Sequence, residues 1–356
     1  MLFPWQAKDF AELQALGERW PHALLLHGRA GIGKAEFALH LAQSLLCEAA
    51  AEVERPCGTC VACRWFSRGN HPDFRLVLPE ALAAEAPFAT LLAGDDGEEA
   101  TGAARDGGAE AGTAKAATRQ PSREIRIEQV RALNEFCNVG AHRDGARVVL
   151  LYPAEALNAA AANSLLKMLE EPPAGVIFLL VSARLDRLLP TIISRCRQWP
   201  MRVPALAEAQ RWLEAQGLAD AGAALAEAGG APLAALSAAT GIYRDSRRLT
   251  LDQLAAGAQC DAFVCGEALQ KVPVPVVLGW LQRWVYDLVA RRLGGAASHY
   301  YPEQASAIAR CAQGLEPVAL LRFARAVAAQ RASETHPLNA RLVFESLFID
   351  YRGLFQ

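Results

Sequence analysis

Gly28-Arg-Ala-Gly-Ile-Gly-Lys-Ala35 decides how the first half of this chain is read. Up to Lys34 it follows the phosphate-loop pattern G-x-x-x-x-G-K-[ST]. The apolar run Ala23-Leu24-Leu25-Leu26 precedes it and a helical pattern from Glu36 to Leu46 follows, which is the strand–loop–helix setting the motif needs. In such a loop, backbone N–H groups and the helix N-terminus hold phosphate oxygens, and the lysine reaches the outer phosphates. Gly28, Gly31, Gly33 and Lys34 are therefore the candidate nucleotide-binding residues. Glycines alone could serve a tight turn, but a turn has no need of Lys34. The eighth position, where a hydroxyl would hold Mg²⁺, is Ala35, which has no oxygen to offer.

Further strand patterns follow at Phe74–Leu78, Arg147–Leu151 and Val176–Val181. Between them lie helical patterns, with Ile127, Val130 and Leu133 on one face and Ala154 to Leu169 stopped by Pro172-Pro173. Strands alternating with helices predict a doubly wound parallel sheet, hence an α/β P-loop domain over 1–204. Residues 80–121 are rich in Ala, Gly, Glu and Asp without a period and read as a flexible insertion. Past Pro204 the character changes, and from about Asp252 strand patterns disappear. An Ala- and Leu-rich helical stretch, broken at Gly229-Gly230, marks a small helical domain over 205–250. Amphipathic helices from Val274, Glu303, Pro317 and Pro337 mark an all-α domain over 251–356.

A net charge of −2 leaves no global nucleic-acid signature, so any DNA contact must be local or shared with partners. No apolar run reaches membrane-spanning length, and Met1-Leu-Phe-Pro-Trp-Gln lacks the basic start and apolar core of a signal peptide. A cytoplasmic protein with no membrane partner is expected, in which nine cysteines mean metal binding or buried thiols before disulfides. Cys47, Cys57, Cys60 and Cys63, with two C-x₂-C spacings and Gly58 between them, suit a tetrahedral zinc site. Four thiolates leave no open position, so such a zinc is structural. An iron–sulfur cluster is the minor alternative, and His71 is a weaker rival ligand. The cysteines at 137, 196, 260, 265 and 311 read as buried thiols.

The strand Val148-Val149-Leu150-Leu151 runs into Tyr152-Pro153, where an active P-loop ATPase carries the acids that hold Mg²⁺ and activate water. Neither residue can do either task, and Glu155 is read as a helix-starting acid. Ser194-Arg195-Cys196 closes the domain. Arg195 is read either as a solvated helix end or as a guanidinium that stabilises phosphate on a neighbouring protein.

Together these residues resemble the bacterial clamp-loader ATPase family of the AAA+ class. The resemblance rests on the Cys₄ module after the first helix, on Ala159-Ala-Ala-Ala-Asn-Ser-Leu-Leu-Lys-Met-Leu-Glu-Glu-Pro-Pro173, on Thr191-Ile-Ile-Ser-Arg-Cys196 and on His336-Pro-Leu-Asn-Ala-Arg-Leu-Val-Phe-Glu-Ser-Leu. It covers nearly the whole chain outside the insertion. It implies an AAA+ domain with a zinc module, a helical lid and a C-terminal collar. It places Ser182 as the polar sensor, and Arg195 as an arginine finger reaching ATP held by a neighbouring subunit. The family's sensor arginine has no counterpart in Gly229-Gly-Ala-Pro-Leu-Ala-Ala-Leu236. Implied partners are the gamma/tau and delta subunits in a hetero-pentamer, with the sliding clamp and primed DNA met through that complex. The resemblance thus implies a non-hydrolysing, stator-like subunit of the DNA polymerase III holoenzyme, a DNA-directed DNA polymerase, with zinc bound and ATP or ADP held weakly or not at all. A motor-type gamma/tau ATPase and a zinc-containing nucleic-acid-binding protein with a relic loop stand as the alternatives.

Overall fold

A computed structural model describes residues 2–17, 19–51, 54–85, 88, 121–138, 142, 145–295, 298–332 and 339–356. The chain divides into two compact units, Met1–Arg202 and Val203–Gln356. Most of the expected flexible insertion lies outside the described residues, as does the start of the His336 motif. The insertion's first residues are described, and Glu80–Leu82 form a 3₁₀ turn.

In the first unit the elements run α1 (Ala7–Gln14), β1 (Ala23–His27), α2 (Lys34–Leu46), α3 (Val61–Ser67), β2 (Phe74–Val77), α4 (Ile127–Asn138), β3 (Arg147–Leu151), α5 (Ala159–Glu170), β4 (Val176–Ser182), α6 (Pro190–Arg195) and β5 (Arg197–Pro200). The strands form one parallel sheet in the order β2-β3-β4-β1-β5. β1, β3 and β4 are Leu- and Val-rich and almost wholly buried, as central parallel strands covered on both faces must be. Leu25, Val149, Phe178 and Leu180 pack in one cluster with residues of α4, α5 and α6. Their neighbours Leu24, Leu26, Val148, Leu150 and Leu179 are equally buried, and α2 packs on the sheet against β1, β3 and β4.

The predicted strands and parallel sheet are present. β5, which the sequence reading overlooked, pairs with the far side of β1. Its sequence, Arg-Gln-Trp-Pro, has no apolar alternation, and its proline is tolerated because the strand is at the sheet edge. The strand order reverses around β1, so the loop after β1 opens at the carboxyl ends of the strands, where ligands of doubly wound sheets bind.

The second unit is helical among the described residues: α7 (Leu206–Ala215), α8 (Ala221–Glu227), α9 (Pro232–Thr240), α10 (Arg244–Ala255), α11 (Ala262–Leu269), α12 (Val274–Arg292), α13 (Ala305–Gln313), α14 (Pro317–Ala332) and α15 (Ala340–Gly353). A small cluster holds α7, α8 and α9 together through Ala209, Leu213, Leu225 and Ala235. A larger one joins α10 to α15 around Trp284, Phe344, Phe348 and Tyr351. Within it Trp284 Nε1 donates to Tyr351 Oη at 3.0 Å, and that hydroxyl donates to Leu254 O at 2.7 Å. The boundary expected at 250/251 falls inside α10, whose buried Leu251 and Leu254 belong to the larger cluster.

Candidate functional site

The phosphate-type loop joins β1 to α2. Gly33 caps α2 in the left-handed region at φ 85°, and Gly31 lies there as well at φ 80°. At Gly28 a Cβ would stand 2.4 Å from Met201 O, and at Gly33 it would stand 2.5 Å from the Phe3 ring. These glycines are therefore required by backbone approach as well as by dihedral angle. Lys34 is buried, and its Nζ donates to Arg29 O at 2.7 Å, folding the ammonium back onto its own loop. Burial pulls its pKa down to about 8, with the Glu155 and Glu36 carboxylates opposing the shift. Ala35 follows on the first turn of α2, also buried.

The N-terminal segment braces the loop from one side. Trp5 Nε1 donates to Ile32 O at 3.0 Å, and the buried Gln6 donates through Nε2 to Gly33 O at 2.7 Å and Ile32 O at 3.2 Å. Phe3 stacks on Trp5 with ring centroids 4.9 Å apart. No motif flags these contacts, which join residues about 27 positions apart; the only sequence signal is a Trp and a Gln beside a proline ahead of the first helix.

The expected sensor, Ser182, ends β4 in register with His27 of β1 and is wholly buried. Its carbonyl accepts the Gly28 N–H, and its Oγ accepts the Arg184 N–H at 3.1 Å. Tyr152 and Pro153 stand at the end of β3. Burial pushes the Tyr152 hydroxyl up to about 12, with Glu36, Glu155 and Glu85 adding to the shift. Here the sequence reading of Glu155 is corrected. Glu155 does not start the following helix; it lies in a separate 3₁₀ turn, Ala154–Ala156, and Asn158 caps α5 by accepting the Ala161 N–H at 2.8 Å. Glu155 Oε1 instead accepts the Ala183 N–H at 3.0 Å, tying the ends of β3 and β4 together beside Lys34, and Oε2 is buried with no hydrogen-bond partner among the described residues. The fold thus gathers Lys34, Glu155, Ser182 and the half-buried Tyr152 at one end of the sheet. Of these only Lys34 carries positive charge, which the Glu155 carboxylate already offsets, and the two positions that would hold Mg²⁺ carry a methyl and a phenol.

The four predicted cysteines come together, their sulfurs all within 4.8 Å of one another. Cys47 caps the end of α2, Cys57 lies in the loop beside Gly58, and Cys60 and Cys63 are the N-cap and first turn of α3. Cys47 Sγ and Cys60 Sγ are 3.9 Å apart, close to the edge of about 3.8 Å that a tetrahedron of ~2.3 Å Zn–S bonds requires. The residues fit a zinc ion. Backbone N–H groups already point at the sulfurs, Cys57 N at Cys47 Sγ (3.4 Å), Cys60 N at Cys57 Sγ (3.4 Å) and Cys63 N at Cys60 Sγ (3.3 Å), the outer shell that orients thiolate ligands. The Cys60 N–H bond lowers the Cys57 thiol to about 6, whereas burial raises Cys47 and Cys63. His71 lies outside the cluster, its Nδ1 accepting the Asp73 N–H at 3.1 Å, and the other five cysteines are buried and free.

Arg195 is the last residue of α6, away from the loop in sequence and held by its own contacts. Its Nη2 is 2.5 Å from Glu170 Oε1, and its Nη1 donates to Thr191 O at 3.1 Å and Ser194 Oγ at 3.4 Å. Cys196 beside it is buried and its thiol is pushed up to about 12 by burial, so the motif anchors into the core through Cys196 while the Arg195 side chain stays about one-third exposed.

A parallel doubly wound sheet with a glycine loop and buried lysine after its first strand defines a P-loop α/β protein, here without the Mg²⁺-handling groups. Family models described as "DNA polymerase III, delta subunit" and "DNA polymerase III, delta subunit, C terminal" match residues 6–204 and 244–352. The chain belongs to the DNA polymerase III delta' subunit family. DNA polymerase III subunit delta' of Pseudomonas aeruginosa is 34% identical over 82% of this chain and 78% of its own length. The delta' subunit of Escherichia coli K12 is 30% identical over 83% of this chain and 78% of its own. The DNA polymerase III gamma subunit-related protein of Thermotoga maritima superposes over 98% of this chain and 99% of its own at a TM-score of 0.46 and 15% identity, a likeness that adds nothing to the assignment. No helix among the described residues is long and apolar enough to cross a membrane.

Proposed function

We propose that this chain is the non-hydrolysing, stator-like subunit of a replicative clamp loader. In this reading it helps place the sliding clamp on primed DNA in a hetero-pentamer with gamma/tau and delta subunits. α7, α8 and α9 serve as the lid and α10 to α15 as the collar. Zinc, held by Cys47, Cys57, Cys60 and Cys63, staples α2 to α3 and supplies rigidity, not reactivity. Arg195 is the finger offered to ATP on the adjoining motor subunit.

One observation carries the proposal. The loop keeps its phosphate-loop backbone and Lys34, yet Ala35 and the half-buried Tyr152 remove both Mg²⁺ positions while Arg195 remains partly exposed. A site that has lost its metal but kept an accessible guanidinium can no longer catalyse in cis and can still stabilise phosphate in trans. Membership of the delta' family supports the same reading.

Two assays test it. The isolated chain is expected to show negligible ATP turnover; turnover abolished by Lys34→Ala would instead make it a motor-type ATPase. In the reconstituted complex, Arg195→Ala is expected to lower hydrolysis at the neighbouring site by roughly 10³-fold or more. An unchanged rate rejects the finger.

A further inference from the structure

On the reading that Arg195 acts in trans, we infer that Glu170 is its positioning residue. The two arrive from different elements. Glu170 ends α5, because Pro172 and Pro173 forbid another turn and turn Glu171 out of the helix, at φ −123° and ψ 72°. Arg195 ends α6, a short helix packed on α5. The chain stops both helices where one carboxylate and one guanidinium meet.

The contact geometry has the form of a holder. Glu170 Oε1 takes one terminal nitrogen of Arg195 at 2.5 Å, and Thr191 O and Ser194 Oγ take the other at 3.1 and 3.4 Å. A guanidinium has five N–H donors, so these three contacts leave two for an incoming phosphate oxygen. Both partners are solvated, with side-chain exposures of 34% and 48%. An exposed pair of this kind adds little to stability, so it fixes the rotamer without trapping the charge. An arginine fixed in advance avoids the ordering of a long, flexible side chain when the phosphate arrives. Glu170 itself touches no nucleotide in this scheme; it acts only through Arg195.

The test is a double-mutant cycle in the reconstituted clamp loader, reading ATPase kcat and KM separately. Glu170→Ala is expected to lower kcat about three- to fivefold with KM unchanged, and Glu170→Gln, which keeps an acceptor, to recover part of the loss. In an Arg195→Ala background, Glu170→Ala should change nothing further. A loss that persists undiminished in that background would overturn the proposal, since Glu170 would then act by another route. Unchanged kcat for Glu170→Ala beside a large loss for Arg195→Ala would overturn it too, while leaving the finger intact. If Arg195→Ala has no effect, the finger reading itself fails, an outcome distinct from both. The melting temperature of each variant should stay within about 2 °C of the parent, as befits an exposed pair.

Discussion

Lys34 shows how a motif residue behaves once its metal partners are gone. Its ammonium is buried against Arg29 O, and burial brings its pKa to about 8 from an ordinary 10.5. Below pH 8 the folded chain must keep that charge in a poorly solvated place, which costs stability. As pH rises from 8 towards 10.5 the folded state gives up the proton before the unfolded state does, and the cost disappears. Lys34→Met is accordingly expected to raise the melting temperature at pH 7 by roughly 2–4 °C, the shift produced by about 1 kcal/mol in a domain of this size, with the gain fading above pH 8. Gly33→Ala tests the opposite kind of requirement. Its Cβ would sit 2.5 Å from the Phe3 ring at φ +85°, so a loss of about 1–3 kcal/mol is expected in chemical denaturation. Lys34 and the glycines were legible because the motif's spacing is set by local backbone geometry. Glu155 was misread because its partners, Ala183 N–H and Lys34, are distant in sequence.

At the scale of elements, the link from α2 to α3 depends on the cysteine cluster more than on a core of its own. Cys60 and Cys63 set the first turn of a helix of only 7 residues, too short to persist without tertiary support. Metal analysis should find one zinc per chain. Stripping it with a chelator, or replacing Cys60 by Ser, is expected to expose α3 and the loop before it to amide exchange. The first unit's melting temperature should fall by roughly 5 °C or more, the drop that ~2 kcal/mol produces, while the sheet keeps its protection. The cysteine spacing told of this site because two C-x₂-C pairs close on one ion by local turns. The same local logic exposed β1, β3 and β4 as continuous apolar runs. It failed for β5, an edge strand whose only claim to being a strand is its pairing with β1, and for the Trp5–Gln6 brace.

At the scale of the whole chain, the division at Arg202/Val203 separates a sheet-centred core from a helical one, and each buries its own large apolar side chains. Fragments 1–202 and 203–356 are therefore each expected to give cooperative denaturation curves and native helix content when made separately; a fragment without a transition would count against an independent core. The sequence by itself determined the class of this protein: a P-loop sheet without its Mg²⁺ groups, a Cys₄ cluster and a helical remainder. Those features reside in contiguous residues, where spacing dictates geometry. Only the tertiary structure decided that Glu155 ties two strands beside Lys34, that Trp5 and Gln6 brace the loop, and that Glu170 grips Arg195. Each of those contacts joins a side chain of one element to a residue of another, and only packing of the folded chain brings them within bonding distance.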